Sequence, residues 1–409
     1  MTSKFQFPRE GTRFLLYPKP RIVEGFDKPR LVHVDARPGS IRPGPSGRRL
    51  YVADARNKQP YRDTVTGDYD WRPPYPRAMP RFDPVAPNAL GHFDSVVPRS
   101  REFSQAALYA SAATVIAIWE HYLGRRLAWG VPGRPRRLEL IPRVTRLGDN
   151  AWSGDGYIEC GFAHGDRSQP YAEDFDVVAH EVGHHFLKRV IGGAPTDPRR
   201  QFVHKSHEEA GADLVSLVAV LHFDYVVASV LTETRGKLYS VNLLSEIGQY
   251  RLGRSGRRPS RVYFHDKTVR AVASALEAHD RYVYAQPFLG AAFDILVEIY
   301  ESHLVRRGLI SAALADRSTH AAAVRDPSLR REFATRYRLN PDGFGEALGA
   351  AAADFARLLA RTWVRTRRTG ATFSRVAANM LAADRALHRG RYQRAIGRAF
   401  RRRKIVARA

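Results

Sequence analysis

Residues 175–191 read FDVVAHEVGHHFLKRVI and include the segment His180-Glu181-Val182-Gly183-His184. Apolar side chains recur through this stretch at the three- and four-residue spacing of an amphipathic helix. They are Phe175, Val178, Val182, Phe186, Leu187 and Val190. The two histidines stand four residues apart and share one helix face. The stretch therefore predicts a core-facing helix that presents two imidazoles to one zinc ion.

Glu181 follows the first of these histidines directly. One residue turns a helix by about 100°, so the Glu181 carboxylate leaves the ligand positions to His180 and His184. From there it can address a water molecule at the metal. The segment thus supplies two ligands and a general base, the minimum for metal-assisted hydrolysis.

A second segment, Ser206-His207-Glu208-Glu209-Ala210-Gly211-Ala212-Asp213, opens the next apolar run. Hydrolytic zinc sites commonly take three protein ligands, and a carboxylate from a neighbouring helix is a frequent third. Glu209 is the candidate for this position. Asp213 lies one turn later on the same face, where it can accept the other ring N–H of a ligating histidine.

Two alternatives for this second segment stay open. Ser206 and Glu209 also fit a capping box, in which the glutamate bonds to the helix start and has no other role. Glu208 is a competing carboxylate for the metal, although only Glu209 has an acid four residues later.

These two motifs on successive helices resemble those of the thermolysin-like and fungalysin-like zinc metallopeptidases, the gluzincins, whose third ligand is a glutamate. Three further segments are similar to parts of that family, and the likeness runs from about residue 96 to the C-terminus. The first of these segments is Asn150-Ala151-Trp152 with the glycine-containing stretch 153–162. The other two are residues 286–294 and the closing stretch 383–405.

The resemblance implies a role for each matching residue. His180, His184 and Glu209 would hold Zn2+, with Asp213 behind a histidine ligand and Glu181 as the general base. Asn150 and Ala151 would align an extended peptide along an edge strand. A residue shortly before the segment 286–294 would stabilise the oxyanion, and either Tyr282 or His279 is a candidate.

The chain departs from the family pattern at one catalytic position. The family carries a catalytic tyrosine between the metal helix and the third ligand, whereas residues 191–205 contain Phe202 and no tyrosine. The residues that do match the family make a zinc-dependent peptidase the leading hypothesis. A weak or inactive zinc-binding relative that acts as a binding protein is its alternative.

Charge is the largest anomaly of the composition. The 409 residues include 66 Lys plus Arg against 41 Asp plus Glu, a formal net charge of +25. Such a field attracts nucleic acids, anionic membranes and acidic proteins. The basic clusters are spread along the chain without a nucleic-acid module. They lie at 134–137, 251–261, 361–368 and 389–404.

From this distribution we expect no specific nucleic-acid partner, and the resemblance implies a peptide or protein substrate. A basic nucleic-acid-binding protein with structural zinc stays open as a further alternative. No stretch reaches eighteen uninterrupted apolar residues, so we expect no membrane span. Met1 to Arg13 lacks the apolar run of a signal peptide, and Cys160 is the single cysteine. Both features favour a cytoplasmic location.

The periodicities predict an α+β fold, and the resemblance implies that it contains a thermolysin-like catalytic unit. Residues 1–95 are rich in Pro, Gly and Arg and form an N-terminal extension of unknown role. Residues 96–195 form a sheet-containing half with the metal helix, and residues 196–409 form a mainly helical half that supplies Glu209 and ends in a basic helix. The cleft is expected between the two halves.

Single elements can also be predicted. Helices are expected at 101–123, 207–230, 268–280, 286–304, 309–324, 343–366 and 374–400, and strands at 137–145 and 156–162. The similar runs 30–36 and 49–55 are either two paired strands or a coincidence. The stretch 71–76 is either a polyproline-like linker or a segment that wraps the catalytic part.

Overall fold

A computed structural model describes residues 4–63, 68–70, 73–129, 137–245, 267–318, 326–366 and 370–406. It has the mixed α+β architecture expected from the sequence, with two small sheets and eleven helices in these ranges. The basic clusters at 134–136 and 251–261 lie outside the described residues. One large apolar core joins the helices to the first sheet and to most of the second.

The strands are short and belong to the first 160 residues. They are β1 (Thr12–Leu16), β2 (Arg30–Val34), β3 (Leu50–Val52), β4 (Leu138–Ile141), β5 (Ala151–Gly154) and β6 (Tyr157–Cys160). Apart from the first, the helices follow the last strand. They are α1 (Arg101–Leu123), α2 (Phe175–Val190), α3 (Pro198–Val220), α4 (Asp224–Thr234), α5 (Ser274–Glu277), α6 (Arg281–Arg306), α7 (Ala312–Ser318), α8 (Pro327–Leu339), α9 (Pro341–Arg365), α10 (Phe373–His388) and α11 (Gln393–Arg402).

The larger sheet has the strand order β3-β4-β6-β5. Strands β3, β4 and β6 run parallel, and β5 is antiparallel at one edge. The smaller sheet is an antiparallel pair of β1 and β2. The similar runs 30–36 and 49–55 therefore do not pair with each other, because their strands, β2 and β3, belong to different sheets.

The N-terminal segment is built into the larger sheet and its surroundings. It supplies β3 to the larger sheet. Tyr75, within the polyproline-like stretch, is buried, and its backbone N–H donates to Glu139 Oε1 at 3.0 Å. Lys58 forms a fully buried ion pair with Glu159. Buried charges need such partners, so the sheet face depends on the segment. The stretch around 73–76 therefore wraps the sheet.

Several helix predictions are confirmed and others are wrong at their ends. Helix α1 has the predicted bounds and ends at Gly124, whose φ of 67° is the left-handed conformation that suits glycine. The predicted helix 207–230 is two helices, since α3 begins at Pro198 and a turn bent by 98° separates it from α4. The predicted helix 374–400 is likewise interrupted, at Arg389 with a φ of 56°.

The remaining helices agree to different degrees. The predictions 286–304 and 343–366 correspond to α6 and α9. Only the short α5 forms within 268–280, and α7 covers part of 309–324, of which residues 319–324 lie outside the described ranges. The strands at 137–145 and 156–162 are confirmed in shorter form as β4 and β6.

Helices α2 and α3 approach each other closely because glycines lie at the crossing. A Cβ added to Gly183 would meet the Ala212 Cα at 2.8 Å, and one added to Gly211 would meet the Leu187 Cδ1 at 2.6 Å. The glycine inside the His-Glu-x-x-His segment therefore sets the distance between the helix that carries the histidines and the helix that carries Glu209.

We predict that Gly183→Ala lowers the free energy of unfolding by about 1–3 kcal/mol, because the new methyl group has to push α3 away. Gly345→Ala in α9 is the matched control, since nothing lies within 4 Å of its Cβ position. At position 345 the higher helix propensity of alanine should raise the free energy of unfolding slightly. Urea unfolding of both variants checks this, and equal effects would contradict the packing argument.

In the ranges that the structure describes, no single helix has both the length and the apolar composition to cross a membrane. One pair, α3 with α4, passes that test only when its two helices are taken together across their bend.

Candidate metal centre

Three potential metal ligands converge where α2 crosses α3. The Nε2 atoms of His180 and His184 lie 3.1 Å apart. The Oε2 atom of Glu209 lies 3.5 Å from the first and 3.7 Å from the second. The four-residue spacing in α2 and the close approach of α3 together produce this triangle.

The triangle has the size that a tetrahedral metal site requires. Zinc bonds of about 2.0–2.1 Å in a tetrahedron place neighbouring ligand atoms about 3.3 Å apart. The three distances, 3.1, 3.5 and 3.7 Å, fall around that value. One donor atom each from His180, Glu181 and His184 also fits within 4.8 Å. We favour Glu209 as the third ligand because both of its distances to the histidines are well inside that limit.

The other ring nitrogen of each histidine contacts a carboxylate. His180 Nδ1 lies 2.7 Å from Asp213 Oδ1, and His184 Nδ1 lies 3.3 Å from Glu208 Oε1. Because a carboxylate only accepts, each Nδ1 carries the hydrogen and each Nε2 is left to face the triangle. This is the usual outer arrangement of histidine ligands. The structure thus places Asp213 behind His180 and Glu208 behind His184.

The capping-box alternative for Ser206 and Glu209 is wrong. Ser206 lies in the third turn of α3, where its hydroxyl donates to the Phe202 carbonyl at 3.0 Å. The N-cap is Asp197, whose side chain accepts from the Arg200 N–H. Glu209 is therefore free of any capping role.

The carboxylates make the site attractive to positive charge. Burial lowers the pKa of the His184 imidazole, but Glu209 and Glu208 outweigh this effect and raise it to about 10. Burial likewise raises the pKa of Glu209, but His184 and His180 outweigh it and lower the pKa to about 2. A metal binds the neutral imidazole, so a cation entering here displaces a proton from His184.

Arg281, at the start of α6, forms an ion pair with Glu209, the candidate third ligand. Its Nε atom lies 2.8 Å from Glu209 Oε1. One carboxylate oxygen is thereby held by the arginine, while the other, Oε2, faces the two histidines. The contact favours a single bond from Glu209 to a metal.

Glu181 is buried beside the ligands. Burial raises the pKa of its carboxyl group, and the charges of His180 and His184 and a hydrogen bond from Ser153 of β5 oppose that rise. A carboxylate with a raised pKa, held next to a metal position, has the properties of a general base.

The triangle opens into a cleft with a volume of about 690 Å³. Residues of β5, α2, α3 and the start of α6 line the cleft. Its lining includes Asn150 and Ala151 at the edge strand β5, and Tyr282 at the start of α6. These three predicted site residues are thus brought together with the candidate ligands.

His279 does not line the cleft, so the structure does not bring this candidate oxyanion donor together with the candidate ligands. It precedes α6 with a φ of 54°, and its Nδ1 lies 3.0 Å from the Glu277 carbonyl. Its ring packs against Phe202 at a centroid distance of 6.0 Å. Tyr282, the second residue of α6, does line the cleft.

Several cleft residues were missed as site residues by the sequence reasoning, and four of them illustrate why. Arg62 comes from the N-terminal segment, Tyr171 from the turn before α2, Lys205 from α3 and Arg281 from α6. Lys205 lies four residues before Glu209, one helix turn away, which is a local signal that could have identified it. The others depend on contacts between distant parts of the chain.

We predict that Asp213→Asn weakens metal binding by roughly 10- to 100-fold, because the amide loses the charge that supports the Nδ1–H of His180. Asp342→Asn makes the same change in the exposed first turn of α9 and should leave the affinity unchanged. A competition titration with a chromophoric chelator measures both. An Asp213 variant that binds metal as tightly as its control would contradict the outer role of this carboxylate.

A scan against protein-family models found no match for the chain, and a search of curated proteins found none either. The resemblance to the gluzincins therefore rests on this chain's own motifs.

Proposed function

We propose that this protein is a zinc-dependent peptidase with a thermolysin-like catalytic unit. The observation that carries the proposal is the triangle of His180 Nε2, His184 Nε2 and Glu209 Oε2, with a carboxylate behind each histidine. Two imidazoles and one carboxylate are the ligands of many hydrolytic zinc sites. When bound there, zinc supplies Lewis-acid polarisation of a carbonyl and lowers the pKa of water.

Glu181 is the proposed general base. It takes a proton from the attacking water and passes it to the leaving amine. Its burial and its hydrogen bond with Ser153 support this role, because they hold the carboxylate on the cleft side of α2. Water reaches the carboxylate through the open cleft.

The edge strand β5 is the proposed site for the substrate backbone. It is hydrogen-bonded to β6 on one side only, and Asn150 and Ala151 line the cleft at its start. An extended peptide can add to such an edge as a further strand. The Ala151 N–H donates to Asn150 Oδ1 at 3.0 Å, so peptide binding exchanges this local bond for one to the substrate.

Tyr282 is the proposed oxyanion donor. Its side chain is 51% exposed and lines the cleft, and its hydroxyl accepts a hydrogen bond from Arg281 at 3.0 Å. A phenol O–H is also able to donate to a developing negative charge. A positively charged neighbour strengthens that donor.

The test is turnover of a mixed peptide library by zinc-loaded protein, read by mass spectrometry. Cleavage that disappears with a chelator and returns with added zinc supports the peptidase. Full zinc loading without cleavage of any peptide would favour the weak or inactive relative. The absence of a tyrosine from residues 191–205 supports that alternative. Salt-resistant, sequence-selective nucleic-acid binding would favour the basic protein with structural zinc.

A further inference from the structure

A second cavity, with a volume of about 1130 Å³, shares no lining residue with the metal cleft. It lies between α1, the strand β2 and the turn that precedes β3. Its volume slightly exceeds the roughly 300–1,000 Å³ of typical small-molecule sites. The space is therefore large enough for a ligand of its own.

The floor of this cavity is apolar. Phe5, Ile41, Leu50 and Ile116 contribute buried side chains. The half-buried Ala113 and Ala117, four residues apart on α1, form a further part of the floor, and their small side chains leave the space above them open. A hydrocarbon chain that enters the cavity loses contact with water over its length, which favours binding.

The rim of the cavity is basic. Arg37, Arg48, Arg125 and Arg126 line it and are exposed, and within the described ranges none of their guanidinium groups has a hydrogen bond or an ion pair. The lining contains two acids. Glu120 already accepts a hydrogen bond from Arg49, whose Nη1 lies 2.8 Å from Glu120 Oε2. Asp35 is the other acid of the lining. Four free cations thus face one free anion.

We propose that this cavity binds an amphipathic anion, with its hydrocarbon tail on the apolar floor and its carboxylate, phosphate or sulfonate head at the arginine rim. Guanidinium groups bind such heads through two parallel hydrogen bonds. An extended acidic peptide fits less well, because an apolar floor offers few partners for its backbone N–H and C=O groups. The inference does not depend on the metal centre.

The first experiment uses probes that share one tail. Calorimetric titration of the full-length protein is carried out with decanoate and decyl phosphate, each below its micelle concentration. Decyltrimethylammonium carries the same tail with a cationic head, and acetate carries the head without the tail. We expect saturable binding of about one decanoate or decyl phosphate per chain and no saturable binding of the other two. Equal binding of the cationic amphiphile would overturn the proposal.

Two variants locate the site. Ala117→Trp fills the floor from a half-buried position and should abolish decanoate binding. The double substitution Arg48→Ala with Arg125→Ala should weaken it roughly fivefold to tenfold by removing two rim cations. Arg331→Ala with Arg336→Ala removes the same charge from exposed positions on α8 and is the matched control.

Circular dichroism and zinc content show whether each variant keeps its fold. The site is supported if the rim double variant weakens decanoate binding and the α8 double variant leaves it unchanged. Equal weakening by both pairs would mean that net charge alone attracts the anion, and an unchanged affinity in a folded Ala117→Trp protein would place the tail elsewhere. Either result would refute the proposal.

Discussion

Replacing Glu181 with Gln is expected to leave zinc bound and to lower kcat by roughly 10²- to 10⁴-fold, the usual contribution of a general base. The amide has nearly the same size but cannot accept the proton of the attacking water. The buried position also explains why the fold should survive, because Gln can keep a hydrogen bond with Ser153 and adds no charge.

Steady-state peptide hydrolysis and zinc content are measured on the same Glu181→Gln preparation. Glu102→Gln, in the exposed first turn of α1, is the matched control and should retain full activity. If the Glu181 variant loses zinc together with activity, Glu181 is a metal ligand and the base has been misassigned. Unchanged turnover would exclude it from the chemistry.

His184→Ala is expected to lose zinc and all zinc-dependent turnover. The substitution removes one corner of the ligand triangle and leaves Glu208 without its histidine contact. Two ligands hold zinc far less tightly than three, so the loss of affinity should exceed the roughly 10- to 100-fold expected for an outer carboxylate. The comparison with Asp213→Asn therefore separates a ligand from its supporting residue.

His279→Ala is the matched control for this substitution. Its ring lies outside the cleft against Phe202, so zinc content and turnover should stay at the wild-type level. Zinc analysis after dialysis and activity on the same peptide measure both variants. Zinc retained by His184→Ala, or activity lost in His279→Ala, would contradict the assignment of these two histidines.

Local sequence patterns predicted the parts of the site that lie within single helices. The spacing of His180 and His184 and the apolar face of residues 175–191 are properties of one helix. The four-residue step from Glu209 to Asp213 is likewise local, and the structure brings Asp213 to His180. Such relations need no knowledge of how the chain folds back on itself.

The start of α3 was missed although the sequence carries its signal. Asp197 followed by Pro198 is a favourable N-cap and first position, and the helix begins there. Starting the helix at 207 instead made Ser206 look like a cap. Reading the earlier signal would have placed Ser206 inside the helix and removed that alternative.

The remaining features of the site and of the fold depend on tertiary contacts, and local sequence patterns do not contain this information. Arg281 reaches Glu209 across 72 positions of sequence, and Arg62 enters the cleft from the N-terminal segment. The bend between α3 and α4 contains neither glycine nor proline, so the sequence carries no local signal for it. These features follow from packing against distant elements, which overrides local preference.

The most direct test of the proposed metal centre is an anomalous-scattering map of the crystallised protein, recorded on both sides of the zinc absorption edge. We predict one zinc ion per chain, bound by His180 Nε2, His184 Nε2 and Glu209 Oε2 at about 2.0–2.2 Å, with Glu181 outside the coordination sphere. A map without a zinc peak between α2 and α3, or a zinc ion that is bound by Glu181 while Glu209 stays on Arg281 alone, would contradict it.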